Sequence, residues 1–231
     1  NEVRVKGREN PTYDSVMKSI KLLKEYEVDF NILTVLTSKL SKQAKKLFDF
    51  YLKHEFKYIQ LIPCLPAFDN EDDDYALKPK DFYNFYNDFF KLWSKEYKKG
   101  NYISITYFDN IIPLFIGQPP SQCGYLGNCS MQYVVESDGS VYPCDFYVLD
   151  KYKVGNIKED SIIDLYKSNI TNEFINESRV KCNKCEQCRY LNICNGQCKR
   201  LSVCYYDNDF CGLQEFMKEN EKEIIKIAGS L

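Results

Sequence analysis

Seven of the chain's eleven cysteines crowd between Cys182 and Cys211 in a sequence of 231 residues. The densest run is Cys185-x2-Cys188-x5-Cys194-x3-Cys198, followed by Cys211; upstream lie Cys123-x5-Cys129 and then Cys144. Close cysteine pairs let a single backbone turn present several thiolates to one metal centre, which isolated cysteines cannot do. Cys123, Cys129, Cys144, Cys185, Cys188, Cys194, Cys198 and Cys211 are enough for two complete four-thiolate sites, neither with an open position. Closed coordination suits centres that pass electrons or hold structure, whereas a metal that binds substrate keeps a position free. A disulfide framework is the competing use of dense cysteines, but it belongs to small secreted chains.

The rest of the composition narrows the field. Hydrophobic residues make up 44%, charged residues 28% and aromatics 15%, the values of a globular protein whose 19 tyrosines and 15 phenylalanines supply much of the buried area. A net charge of −2 provides no field for gathering phosphates, so nucleic acid has no support as a partner. Apolar runs such as 58–63 and 111–116 fall far short of the roughly 20 residues a bilayer span requires, so no membrane partner is expected. The chain starts at Asn1 with no secretory segment following, which reads as an internal fragment in a cytoplasmic setting.

The elements that must position these thiols follow from periodicity. Residues 12–26 have helical spacing and 28–36 a β-rich run; a second helix, capped by Ser38 or Ser41, leads through 50–54 to a short strand at 57–63. After an acidic loop at 69–74, Pro79 opens a long helix whose stripe of Phe82, Phe85, Phe89, Trp93 and Tyr97 marks a buried face, with Gly100 as its stop. Residues 102–108 alternate as a third strand. Strands separated by helices give the rhythm of a parallel α/β architecture. Pro119-Pro120 marks a composition change and an expected domain boundary, giving domains 1–119 and 120–231. Beyond it Asp138-Gly139 predicts a hairpin between 132–136 and 140–143. Residues 161–169 and 214–227 read as helices, and the cysteine-dense stretch between them has too little aliphatic content to fold by burial alone. The single histidine, His54, is expected at the surface with no nucleophile to serve. Asp72–Asp74 lack the glycine and glutamate of a calcium loop.

CGYLGNC, VVESDGSVYPCDFYVLDKYKVGNI and CEQCRYLNICNGQC with the later Cys211 together resemble the SPASM-domain radical S-adenosylmethionine enzymes, and within them the anaerobic sulfatase-maturating enzymes. Weaker similarity runs back through FNILTVLT and YIQLIPCL. The resemblance implies the later part of a partial (β/α)6 barrel joined to a SPASM iron–sulfur domain. It assigns one auxiliary 4Fe–4S cluster to Cys123, Cys129, Cys144 and Cys198, and the other to Cys185, Cys188, Cys194 and Cys211. Cys64, Cys182 and Cys204 match no ligand position. Asp145 matches the family's general base, Arg4 an arginine that meets the methionyl carboxylate of S-adenosylmethionine, and Leu65 a residue that packs on its adenine. The plain alternatives are a solvent-exposed acid for Asp145 and a strand-end core residue for Leu65.

Such enzymes also need a CxxxCxxC motif for a third 4Fe–4S cluster that binds S-adenosylmethionine. The chain has none, so the resemblance implies that the motif precedes Asn1 and that this portion alone does not cleave the cofactor. The implied reaction oxidises a cysteine or serine of an unfolded sulfatase to formylglycine, with flavodoxin or ferredoxin as electron partner. Two alternatives stand: another SPASM peptide maturase forming thioether or carbon–carbon crosslinks, and a non-catalytic metal module that binds a partner protein.

Overall fold

The computed structural model describes residues 5–6, 10–69, 73–178 and 182–230. A two-stranded antiparallel pair, β1 (Val5–Lys6) and β2 (Asn10–Pro11), precedes helix α1 (Tyr13–Glu25). The central sheet is parallel, in the order β3 (Ile32–Leu36), β4 (Tyr58–Pro63), β5 (Ser104–Ile105). Helices α2 (Ser38–Ser41) and α3 (Ala44–Lys53) connect β3 to β4, and α4 (Pro79–Lys98) connects β4 to β5.

Alternation along β3 sends Leu36 into the core and leaves Leu33 and Val35 each 53% exposed. Thr34 faces the helices, its hydroxyl 2.6 Å from that of Tyr51 on α3. α4 begins with proline at its first turn, where a missing N–H costs nothing, and buries Phe82, Phe85, Phe89 and Trp93 on one face. Burying each of these rings stabilises the fold by roughly 1.5–3 kcal/mol. Trp93 also donates its indole N–H to the carbonyl of Ile103 at 2.7 Å, tying the helix to the approach of β5.

Three details depart from the sequence expectation. The cap of the second helix is Thr37, whose hydroxyl accepts from the amide of Leu40 at 3.1 Å, while Ser38 donates to Asp81 instead. The strand expected over 102–108 stops after two residues, and α5 (Thr106–Leu114) takes over. Asp109 on that helix accepts from Ser104 at 2.5 Å and from Tyr102 at 2.8 Å, which folds the segment back on itself. His54 is half-buried, stacked on Phe56 at 5.5 Å between ring centroids.

Past α5 the chain is pinned: the buried Asn110 side chain accepts from the amides of Ser121 and Gln122 at 2.8 and 3.2 Å. A second, antiparallel sheet follows, β6 (Val134–Val135), β7 (Ser140–Tyr142) and β8 (Gly155–Asn156), built on the expected hairpin with a third strand added. Gly139 takes φ +91° at the turn. Helices α6 (Ile162–Lys167) and α7 (Asn169–Asn176) carry serine caps, Ser161 and Ser168. Short helices α8 (Leu191–Cys194) and α9 (Ser202–Tyr205) lead to α10 (Gly212–Ala228), which lies against α4. The main core therefore joins both ends of the sequence, with Phe216 of α10 5.7 Å from Phe90 of α4. Among the described residues no helix is long and apolar enough to cross a membrane.

Candidate iron–sulfur and substrate site

The thiols fall into two neighbourhoods. Cys123 starts a single helical turn after the segment pinned by Asn110, and Cys144 ends the loop leaving β7. These two, with Cys129 and Cys198, line one cavity of about 570 Å³, and Asp145 lines it beside them. The cavity reaches across to Gln60, Leu61, Ile62 and Pro63, so it opens at the C-terminal end of β4, where parallel α/β sheets place their ligands. Asp145 accepts from the Cys144 thiol at 3.4 Å and from the Phe146 amide at 3.1 Å.

The second neighbourhood holds Cys185, Cys188, Cys194 and Cys211. Cys211 caps α10: its sulfur accepts from the Gln214 amide at 3.4 Å, at the helix end whose dipole favours negative charge. Cys194 accepts from the Gly196 amide at 3.5 Å. Gly196 and the two residues before and after it, Asn195 and Gln197, all take positive φ, a tight turn that carries the chain from Cys194 to Cys198.

Electrostatics sort the thiols in the same way. Burial is the main cause that raises the Cys123 thiol, with Cys198, Cys129 and Asp145 adding to it. Burial pushes Cys144 up to about 12, helped by Asp145 and Cys198. Cys194 is raised by burial to about 11, with Cys188 and Cys185 contributing, and Cys211 to about 12, with Cys194, Cys182 and Cys185 contributing. Thiols held protonated in this way must release protons on binding a metal.

The donor chemistry fits two thiolate-bound clusters. The eleven cysteines are thiols rather than disulfides. Among the described residues no three cysteine, histidine, aspartate or glutamate side chains converge closely enough for a single metal ion. A lone zinc would draw its sulfurs to about 3.8 Å from one another, given Zn–S bonds of about 2.3 Å. A cuboidal cluster sets its thiolates farther apart. Buried sulfurs that receive backbone N–H groups are also the surroundings such clusters use.

Arg4 lies outside the described residues. Leu65 is half-buried against the main core, just beyond β4. Cys182 donates to the carbonyl of Asn208 at 3.6 Å and Cys204 to that of Cys64 at 3.7 Å, so both have other work. The cysteine-dense stretch is not poor in core: Tyr190, Tyr205 and Tyr206 are buried with its cysteines, aromatics serving where aliphatics are few.

Sequence reasoning missed the cations beside Cys198. Lys199, with its side chain 8% exposed, sits 3.7 Å from the Phe174 ring centroid and pairs with Glu177. Arg200 donates to the carbonyl of Pro66 and lies 4.2 Å from the centroid of Phe68. The first clamps α7, the second the loop after β4, so one dipeptide ties two segments to a cavity thiol. Its only signal in the sequence is a Lys-Arg pair directly after a cysteine.

Residues 123–189 match the SPASM family, an iron–sulfur cluster-binding domain. A cysteine-type anaerobic sulfatase-maturating enzyme of Clostridium novyi (strain NT) is 37% identical, over 100% of this chain and 64% of its own length. One of Clostridium perfringens (strain 13 / Type A) is 36% identical, over 95% of this chain and 62% of its own. The solved structure of native anSMEcpe with bound AdoMet and Cp18Cys peptide superposes with a TM-score of 0.87 at 35% identity, over 96% of this chain and 64% of that one. The chain thus spans somewhat less than two thirds of each of these relatives.

Proposed function

We propose that the chain belongs with the SPASM-domain radical S-adenosylmethionine enzymes, as its SPASM match and its sulfatase-maturating relatives support, and that it forms the later part of an enzyme oxidising a sulfatase cysteine to formylglycine. The observation that carries this reading is the single cavity in which Cys123, Cys129, Cys144, Cys198 and Asp145 face the end of β4. Cysteine is preferred to serine as the target because the relatives at 37 and 36% identity are cysteine-type enzymes.

In this reading Cys123, Cys129, Cys144 and Cys198 hold one auxiliary 4Fe–4S cluster, and Cys185, Cys188, Cys194 and Cys211 the other. When bound, the clusters supply one-electron transfer, and S-adenosylmethionine with its own cluster supplies the radical that takes hydrogen. Oxidising the target side chain removes a hydrogen atom from Cβ, a proton and an electron; hydrolysis then exchanges sulfur for oxygen and releases hydrogen sulfide. Asp145 is the proposed proton acceptor, a reading supported by its position on the cavity wall beside Cys144, where its carboxylate accepts from the Phe146 amide. The cavity is the proposed seat of an unfolded segment of the sulfatase. Arg4 and Leu65 are proposed contacts to S-adenosylmethionine. Flavodoxin or ferredoxin is the proposed electron partner, and a cytoplasmic setting keeps the thiols reduced.

The test uses the full-length enzyme, prepared anaerobically and given S-adenosylmethionine, a reductant and a sulfatase-derived cysteine peptide. The expected product is an aldehyde on the peptide, from protein carrying about eight auxiliary irons with matching sulfide. A crosslinked peptide would point to a different maturase, and about two zincs in place of iron would point to a non-catalytic module.

A further inference from the structure

Tyr107, the second residue of α5, is 3% exposed and packed on all sides by rings. Its ring centroid stands 4.2 Å from that of Tyr86, 5.5 Å from Phe216, 5.6 Å from Phe82 and 6.0 Å from Tyr125. The ring borders the cavity that holds Cys123 and Cys198. Its hydroxyl oxygen, however, is sealed from that space and has no hydrogen-bond partner among the described residues. A buried O–H without an acceptor is uncommon, because nothing replaces the water bond it gave up on folding. An aromatic cluster this apolar could have used phenylalanine at no loss of packing. The hydroxyl therefore calls for an acceptor that the protein's own oxygen and nitrogen atoms do not provide.

No protein sulfur stands within hydrogen-bonding distance of the hydroxyl either, but the helices packed against α5 carry the second thiol set. Burial raises the phenol far above its ordinary value, and after Tyr86 and Tyr125 the groups that add to the effect are Cys194 and Cys211, both of the second thiol set. α5 also packs directly against α8, which ends at Cys194, and against α10, which Cys211 caps. We propose that Tyr107 is a positioning residue whose hydroxyl donates a hydrogen bond to a sulfur of the cluster held by Cys185, Cys188, Cys194 and Cys211, and so sets that cluster's reduction potential. This rests on the two-cluster reading. A donor to a cluster sulfur stabilises the more negatively charged reduced state more than the oxidised one, so its presence raises the potential. The residue thus borders the substrate cavity and addresses the remote cluster with its oxygen.

The experiment is an EPR-monitored redox titration of the full-length, reconstituted enzyme, comparing the parent with Tyr107→Phe and with 3,5-difluorotyrosine placed at 107. Phenylalanine removes only the donor, and one auxiliary cluster should titrate at a more negative potential while the iron content and the other midpoints hold. Fluorination strengthens the donor without changing the packing, and the same midpoint should move the opposite way. Should Tyr107→Phe fail to fold, the fluorinated enzyme decides alone. Full iron content with every midpoint unmoved, or a shift confined to the cluster of Cys123, Cys129, Cys144 and Cys198, would overturn the inference while leaving the two-cluster reading intact. A parent protein without iron would sink that reading, and this inference with it.

Discussion

Asp145 and the sulfur beside it show how little separates a ligand from a reactant. Cys144 and Asp145 are neighbours in sequence, line the same wall, and share a 3.4 Å hydrogen bond. If the carboxylate only oriented the thiol for cluster assembly, Asp145→Asn would lower iron content. The proton-accepting role predicts otherwise: Asp145→Asn enzyme keeps its auxiliary iron but loses peptide oxidation by roughly a hundredfold or more, the range of a missing general base. Iron analysis and turnover measured on one sample separate the two roles. The cysteines divide by the same logic. Cys198→Ala should cost about four irons, one cluster's worth, whereas Cys64→Ala should cost none, because Cys64 lines neither thiol set and its carbonyl serves Cys204. Loss of all auxiliary iron from Cys198→Ala would show that the two sets do not assemble separately.

At the scale of elements, the site depends on how closely α10 can lie on α4, since Cys211 caps the former. Gly212 follows that cap, and a Cβ there would stand 2.7 Å from the carbonyl of Pro79 and 3.1 Å from the Phe82 ring. The neighbour is backbone at the start of α4 and cannot swing aside. Gly212→Ala should cost about 1–3 kcal/mol by overpacking, read as a lower urea midpoint with the slope unchanged; a midpoint equal to the parent's would mean the two helices are free to part. Such elements were readable from sequence to different depths. The long aromatic helix was plain because its stripe repeats over 20 residues and ends at a glycine. The third parallel strand was misjudged in length because Ile103 and Ile105 alternate as a strand should, while Asp109, which ends the strand by binding Ser104 and Tyr102, is a tertiary effect that periodicity does not carry. The thiol sets were legible by count and spacing. Their separation into two neighbourhoods was suggested only by resemblance, because it depends on tertiary contacts that bring Cys198 across 75 positions to Cys123. Tyr107 left no pattern at all and Lys199 only a Lys-Arg pair after a cysteine, for a lone tyrosine or lysine acquires meaning only from what surrounds it.

For the whole molecule, the distribution of core decides what metal loss would do. The main core runs without a break from α1 through α4 and α5 to α10 and includes Cys185, Cys194 and Cys211. The antiparallel sheet with α6 has a small core of its own in Met131, Val141 and Leu165, with Tyr142, Tyr147 and Phe174 also buried nearby. These few side chains supply on the order of 10 kcal/mol of burial, too little to offset the ordering of some forty residues. What else ties this unit to the rest is the Lys199 contact with Phe174 and Glu177, the Phe68–Tyr147 ring pair at 5.6 Å, and the proposed cluster joining Cys144 to Cys123, Cys129 and Cys198. Metal binding here is then part of the unit's folding free energy. Chelating the iron and following amide hydrogen exchange should deprotect 131–176 by at least about tenfold, equivalent to about 1.4 kcal/mol, while α4 and the later turns of α10 change far less. Uniform deprotection along the chain would mean that the metal holds the whole fold. Unchanged protection in β6 to β8 would mean instead that the unit's own apolar side chains and a buried lysine hold it without the cluster, and that Cys144 is not one of its ligands.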